Sequence, residues 1–138
     1  MKTRKLFWTA GASALLGIVF GAGIAVGKSE APQEPRGISV GVVSTLDLGS
    51  ELTNLDGREL RVRIITFEPG AAVPLHSHDG RPGIAHVLKG TLTEHLEGKG
   101  VFQRNQGDRL LEDKNTVHWV ENRSGETAMV FATDVYKP

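Results

Sequence analysis

Three of the five histidines in this 138-residue chain lie within one segment, "PLHSHDGRPGIAHVLKG", residues 74–90. His76 and His78 stand two residues apart, and His86 follows. Side chains at positions i and i+2 of a strand project from the same face, so the first two imidazoles are expected side by side. Two imidazoles in this arrangement can bind one divalent cation. The alternative interpretation is that both are polar residues on the surface of an edge strand.

A further histidine, His118 in "TVHWVEN", lies forty residues after His78. A distant strand brings this imidazole to the first pair only if the sheet curves into a barrel. Three neutral imidazoles that leave coordination positions open suit zinc, manganese, iron, nickel or copper. The spacing therefore favours a divalent metal site built from His76, His78 and His118, provided that the chain forms a barrel.

The composition favours one small β-rich domain. The chain has a mass of 14.9 kDa and contains 17 glycines and 6 prolines, which suits short strands and turns better than a helical bundle. Sixteen basic residues balance 16 acidic ones, so the charge does not indicate a nucleic-acid partner. The absence of cysteine excludes disulfides, thiolate nucleophiles and cysteine-type zinc sites.

After residue 37 the apolar pattern has a period near two, and turn formers separate the short segments. The segment "ELRVRIITFEPG", residues 59–70, is typical of a half-buried strand, in which Leu60, Val62 and Ile64 face one way and Arg61 and Arg63 the other. Gly90 is expected at a hairpin turn. The pattern predicts an all-β sandwich or barrel of roughly eight to ten strands, without a long amphipathic helix.

The first 27 residues have the pattern of a targeting helix. Residues 1–5, "MKTRK", are basic, and residues 6–27 carry no charge. This predicts a cleavable secretory signal or, nearly as well, a retained membrane anchor. The positive charge before the apolar run places the rest of the chain outside the cytoplasm. We therefore expect an exported barrel, periplasmic or extracellular, or one anchored in the inner membrane through residues 6–27. The polar segment 28–37 is interpreted as a linker, and residues 38–138 as the barrel domain.

Two blocks of the sequence resemble the paired motifs of the cupin superfamily. The first, "GAAVPLHSH", consists of Gly70, five residues and then His76 and His78; in the second, ten residues separate Gly107 from His118. The resemblance extends over residues 58–136. It implies a small single-domain cupin of the conserved-barrel type, which is a double-stranded β-helix of jelly-roll form, often dimeric, with a metal in its mouth. It also implies that the three histidines match the family's histidine ligands.

The chain departs from the family pattern at the fourth ligand. The family's glutamate falls at Gly83, so the resemblance implies a site with three histidines and no carboxylate. In the second block Asn122 matches the motif asparagine; it begins "NRS", formally a glycosylation sequon, but is expected to close a turn.

Five further residues are candidates for supporting roles. Asp79, Glu112 and Glu94 are candidates for an additional ligand or for hydrogen-bond partners of the ligating imidazoles. His86 faces outward by strand alternation, and a bulge near Pro82 would be needed to turn it into the site. Arg81 is a candidate for binding an anionic substrate.

Two classes of function are consistent with these residues. In the first, an exported cupin binds a divalent metal (zinc, manganese, iron or nickel) and carries out an oxidoreductase-like, dioxygenase-like or isomerase-like reaction. In the second, a barrel with weak or no metal binding holds a small anion or sugar without catalysis. No catalytic residue is identified in either case.

We expect a small-molecule ligand, no nucleic acid, and a homodimer formed through outward-facing Ile84, Leu88 and Trp119.

Overall fold

The computed structural model describes residues 30–138 of the chain. This range contains eight β-strands and no helix. Within this range no helix is long and apolar enough to cross a membrane. The predicted targeting helix, residues 1–27, lies outside the described residues. The strands are β1 (Arg36–Asp47), β2 (Glu59–Ser77), β3 (Gly83–Lys89), β4 (Thr91–Leu96), β5 (Gly100–Asn105), β6 (Arg109–Glu112), β7 (Val117–Glu121) and β8 (Ala128–Tyr136).

All strand pairs are antiparallel, and together they form a nearly closed barrel. The strand order is β5-β4-β7-β2-β8-β3-β6, and β1 also pairs with β2. The 19-residue β2 connects the two halves. Its residues 59–67 pair with β8, whereas its residues 72–77 pair with β7. The all-β prediction is confirmed, and Gly90 does turn between β3 and β4, with φ +76°.

The first strand begins two residues before the predicted domain boundary. Arg36 pairs with Ala72 of β2, and its Nε donates a hydrogen bond to the carbonyl of Gly70 at 3.0 Å. Among the described strands, β1 pairs with β2 alone. Its residues Ile38 and Val40 line an internal cavity, and Val40 is half exposed, so β1 forms part of the cavity's rim.

The bend in the middle of β2 is held by Asn122, which is 1% exposed. Its backbone N–H donates to the carbonyl of Ala71, and its own carbonyl accepts from the N–H of Gly70. Its amide nitrogen donates to three backbone carbonyls, those of Phe67, Glu68 and Glu126, at 3.0, 3.2 and 2.7 Å. Asn122 therefore closes the turn as expected, and its buried side chain is not presented as a glycosylation acceptor.

The apolar core lies inside the barrel and is built mainly from small side chains on β2, β3, β4, β6, β7 and β8. Its buried members are Phe67, Ala71, Ala85, Val87, Leu92, Leu110, Val120, Ala128, Val130 and Ala132.

The structure corrects the expectation that Trp119 is exposed on the outside of the barrel. Only 6% of this residue is exposed, and its ring stacks on His95 with 3.6 Å between the ring centroids. Nε2 of His95 lies 2.8 Å from a carboxylate oxygen of Glu121, which also accepts a hydrogen bond from Arg123. The indole of Trp119 is covered by His95 on β4 and is therefore not available to a partner.

We expect Asn122→Asp to destabilise the barrel by about 2–4 kcal/mol, because three backbone carbonyls lose their donor and a carboxylate takes its place at a buried position. Urea denaturation of the purified protein measures the change. Asn105→Asp is the matched control, since the side chain of the exposed Asn105 only accepts a hydrogen bond from Thr91, which a carboxylate can also accept. An effect of Asn122→Asp no larger than that of the control would contradict the role of Asn122.

Candidate metal centre and its cavity

Three imidazoles converge where β2 lies beside β7. The imidazoles of His76, near the end of β2, and of His78, directly after it, lie side by side as predicted. His118 is the register partner of His76 on β7. Nε2 of His78 lies 3.1 Å from Nε2 of His76 and 3.1 Å from Nε2 of His118. All three possible ligand atoms lie within 4.8 Å of one another, and His78 and His118 are almost fully buried.

The other nitrogen of each ring, Nδ1, faces an oxygen that can only accept a hydrogen bond. We therefore assign the proton of each neutral imidazole to Nδ1, which leaves a lone pair on each Nε2. The acceptors are a carboxylate oxygen of Glu94 for His118 at 2.7 Å, the carbonyl of Pro74 for His76 at 2.9 Å and the carbonyl of Arg81 for His78 at 3.2 Å.

Three Nε2 lone pairs that point at one another repel unless a cation lies between them. At a metal–nitrogen distance of about 2.1 Å, two ligand nitrogens are about 3.0 Å apart at a 90° angle and about 3.4 Å apart at the tetrahedral angle. The observed separations of 3.1 Å fall between these values. The donor set, its tautomers and its spacing therefore fit a divalent metal ion, with Nε2 of His76, His78 and His118 as ligands.

Glu94 is the hydrogen-bond partner of one of these imidazoles and is not a member of the cluster. Its carboxylate is 1% exposed and lies between His118 and Arg104, whose Nε and Nη2 each donate at 2.7 Å. Burial raises the pKa of Glu94, but the hydrogen bonds from His118 and Arg104 outweigh it and hold the pKa below its usual value. The carboxylate therefore stays ionised and fixes both the tautomer and the orientation of His118.

The position of the family's glutamate has no room for a side chain. Gly83 lies opposite Glu112 in the β3–β6 pair. A Cβ at Gly83 would lie 2.8 Å from the carbonyl oxygen of Thr133 and 2.9 Å from Oε2 of Glu112, closer than such atoms approach in proteins. A glutamate at position 83 would thus require the β8 backbone to move, so the packing around Gly83 excludes a ligand at this position.

The carboxylate nearest to Gly83 comes instead from Glu112 on β6. It is buried, lines the cavity, and has Oε2 3.5 Å from Nδ1 of His78. Burial raises the pKa of Glu112, and the positive charges of Arg81 and Arg63 only partly offset this effect. Glu112 therefore lies behind His78, as Glu94 lies behind His118, and not among the converging Nε2 atoms.

Two of the candidate residues do not reach the site. Asp79 is exposed in the turn after β2 and does not belong to the cluster. His86 is half-buried on the outer face of β3, because β3 pairs regularly with β6 from Gly83 to His86 and its neighbours Ala85 and Val87 point inward. The bulge that would turn His86 inward does not form, so His86 faces outward as strand alternation predicted.

The three imidazoles lie in the wall of a cavity with a volume of about 280 Å³. Most of the wall is apolar, and the polar residues beside the histidines are Arg63, Arg81 and Glu112. The apolar lining residues are Pro35, Ile38, Val40, Ile65, Phe67, Val73, Ala85, Leu92, Leu110, Val120, Val130 and Ala132.

Arg63 was not identified as a site residue from the sequence, because a strand with alternating arginines is usually solvated on its charged face. In the structure that face is directed inward, and Arg63, Ile65 and Phe67 line the cavity together. The signal was present in the same alternation, which continues from Arg63 into Ile65 and Phe67. The counterion, Asp134, lies on β8 more than seventy residues away and could not be assigned from the local pattern.

Comparison with known proteins agrees with this architecture. The family described as "Cupin_2: Cupin domain" matches residues 63–136, more than half of the chain. The chain therefore belongs to the cupin superfamily. No curated protein is similar enough to this chain to count as a match.

Three solved structures show how widely the fold is shared. A predicted oxalate decarboxylase from Thermotoga maritima is 22% identical with a TM-score of 0.56, and the match covers 75% of this chain and 92% of that one. KdgF from Halomonas sp. is 18% identical with a TM-score of 0.56, covering 77% and 94%. The Cupin_2 domain of an XRE family transcriptional regulator from Enterobacter cloacae is 15% identical with a TM-score of 0.54, covering 75% and 99%. These similarities establish the fold and not the activity.

We expect the metal-free protein to lose stability as the pH falls from about 6.5 to 4. Burial lowers the pKa of His78 to about 4, and it also lowers the pKa of His76. The unfolded chain takes up these protons near pH 6.5, so protonation favours unfolding throughout this window. For His78 the loss reaches roughly 3 kcal/mol near pH 4.

Urea denaturation after removal of metal, at pH 7.5, 5.5 and 4.5, measures this effect. His78→Gln removes the titrating ring, so the variant should lose less stability with falling pH than the wild type. Other carboxylates titrate in both proteins, and the difference between the two slopes isolates His78. Equal slopes would contradict the prediction.

Proposed function

We propose that this cupin domain binds one divalent metal ion through Nε2 of His76, His78 and His118 and holds a small molecule in the adjoining cavity. The observation that carries the proposal is the convergence of three Nε2 lone pairs, each fixed by an Nδ1–H that donates to an oxygen. Membership in the cupin superfamily supports it.

The ligand set favours a metal that accepts neutral nitrogen donors. Three imidazoles suit zinc, manganese, iron or nickel, and without a carboxylate ligand none of the coordinating groups neutralises the charge of the ion. Such an ion supplies Lewis-acid or redox chemistry to a bound substrate. A dioxygenase-like or isomerase-like reaction is therefore the enzymatic form of the proposal.

A non-catalytic binding module is the second candidate. Packing around Gly83 excludes the fourth ligand of the family pattern, and most of the cavity wall is apolar. A domain of this kind would hold its ligand without converting it. Oxidation or isomerisation that appears with added iron or manganese and is lost in His76→Ala favours the enzyme, and ligand binding that is unaffected by His76→Ala favours the module.

Metal content tests the central proposal. We expect about one ion per purified chain by elemental analysis, and its loss in His118→Ala. Glu94→Gln keeps an acceptor for His118 but removes the negative charge, and we expect metal affinity to fall by about 10–100-fold in calorimetric titration with zinc or manganese at pH 8. Glu97→Gln is the matched control, since Glu97 is exposed just after the same strand.

Equal zinc affinity in the wild type and His118→Ala would show that these histidines are not the metal site. Equal affinity in Glu94→Gln and the wild type would restrict Glu94 to a structural role. Melting temperatures of all four proteins without metal separate either result from a loss of folding.

We also propose that the domain is exported, on the basis of the basic and apolar segments within residues 1–27. Fractionation of cells that produce the full chain, with mass determination of its amino terminus, distinguishes a cleaved signal from a retained anchor. Recovery of the intact chain in the cytoplasmic fraction would contradict this proposal.

A homodimer is proposed from the outer face of β3, β6 and β8. Ile84 and Leu111 are register partners there, and they are 49% and 66% exposed. Phe131 on β8 is 37% exposed and pairs with His86, which lies two residues after Ile84 on β3. Ile84, Leu111 and Phe131 therefore form one apolar patch. A second copy of the same sheet face would cover such a patch symmetrically.

Light scattering on a sizing column should give the mass of two protomers at micromolar concentration. Leu111→Glu should shift the mass to one protomer, because it places a charge at the most exposed residue of the patch. Leu52→Glu is the control, since Leu52 is 56% exposed in the loop between β1 and β2. A wild-type mass of one protomer would overturn the proposal.

A further inference from the structure

An unusual group of charges lies at the polar end of the cavity, where three arginines surround one fully buried carboxylate. Asp134 accepts hydrogen bonds from Nε and Nη2 of Arg61 at 3.0 and 2.8 Å and from Nη2 of Arg63 at 2.9 Å. Nη1 of Arg81 is 3.7 Å from the same carboxylate. With Glu112 as the second nearby carboxylate, three positive charges face two negative ones, which leaves an excess of one positive charge.

The three guanidinium groups are engaged to different extents. Arg61 makes a bidentate pair with Asp134, and its Cζ lies 3.7 Å above the ring of Tyr136. Its guanidinium is therefore already engaged by other residues of the protein. Arg63 makes only one hydrogen bond, through Nη2. Its Nε is the one buried side-chain nitrogen or oxygen within residues 30–138 that has no hydrogen-bond partner.

A buried N–H without an acceptor costs about 1–3 kcal/mol, and such groups are rare in native proteins. Arg63 lines the cavity, and its Nη1 also has no hydrogen-bond partner, so its guanidinium can donate to a ligand there. Arg81 also lines the cavity, and its side chain is 31% exposed and held only loosely by Asp134. Its guanidinium thus has donors to offer, while its backbone carbonyl orients His78.

From this arrangement we infer that Arg63 and Arg81 form a subsite for the carboxylate of a small organic monocarboxylic acid. A carboxylate has the planar pair of oxygens that fits guanidinium donors. Its single negative charge matches the excess of one positive charge, and Glu112 disfavours a doubly charged group such as phosphate. The apolar wall, including Ile65 and Val130, accommodates the rest of the acid.

This inference deepens the proposed function and rests on it only in that the cavity holds a ligand. The arginines act whether or not a metal is bound, so the subsite is tested first on metal-free protein, where a metal cannot itself attract the carboxylate. The probes are benzoate and its neutral analogue benzamide, which have the same size and shape, together with inorganic phosphate.

Calorimetric titration of the full-length protein at pH 7.5, after the metal and the chelator have been removed, is the central measurement. We expect benzoate to bind at least tenfold more tightly than benzamide and more tightly than phosphate. Arg63→Gln should abolish the preference for the acid. Arg109→Gln should retain it, because Arg109 is exposed on β6 and does not line the cavity.

Two further measurements guard against a variant that fails to fold. Arg81→Gln leaves both hydrogen-bonded arginines on Asp134 and should weaken benzoate binding with a melting temperature close to that of the wild type. In the wild type, benzoate should shift the Nε–Hε resonance of Arg63 in a nitrogen–proton NMR spectrum, whereas benzamide should not.

Equal affinity for benzoate and benzamide in the wild type overturns the inference, as does an unchanged preference in folded Arg63→Gln. Tighter binding of phosphate than of benzoate also overturns it, because the subsite would then select a different anion. A preference for benzoate without any metal binding would support the subsite and contradict the metal proposal. Metal binding without a preference for benzoate would support the metal proposal and contradict the subsite.

Discussion

The bend in β2 is the constraint on which the rest of the structure depends. One continuous strand crosses both halves of the barrel, and Asn122 fixes the point where its partner changes from β8 to β7. Before the bend, the strand carries Arg63 to the buried Asp134. After the bend, it carries His76 to its register partner His118. A shift of one residue at the bend would turn the histidine face of β2 outward while the arginine face stayed inward, because successive side chains of a strand face opposite sides.

The path of β2 also separates the neutral nitrogen donors of the cavity from its positive charges. Burial lowers the pKa of His76 and His78, and all three imidazoles are oriented by oxygens behind them, of which the carboxylate of Glu94 is itself hydrogen-bonded to Arg104. The permanent positive charges lie on arginines, which stay protonated at any physiological pH. The cavity thus keeps lone pairs at one place and fixed cations at another, so a metal and an anionic ligand group would occupy different parts of it.

Much of the fold and part of the site could be predicted from the sequence. Strand alternation was enough to place His76 and His78 on one face, and the paired motifs placed His118 with them. Arg63 was missed because its counterion, Asp134, lies on a distant strand, and the burial of a charge depends on where that partner lies. Trp119 was taken as exposed because alternation alone does not reveal that His95 stacks on it. The reason for the glycine at position 83 became apparent only from the distance to Thr133, a contact between strands.

The position of β1 has a consequence for how a ligand would enter and leave. This strand supplies part of the cavity wall through Ile38 and Val40, yet among the described residues it is hydrogen-bonded along one side only. Strands with a single neighbour separate locally at a lower free energy than strands paired on both sides. Transient fraying of β1 would open the cavity without disturbing the three imidazoles, which lie at the far end of β2, just after it and on β7. Exchange of an occupant would then leave the histidine cluster intact, and its rate would depend on how often one edge strand separates from the barrel.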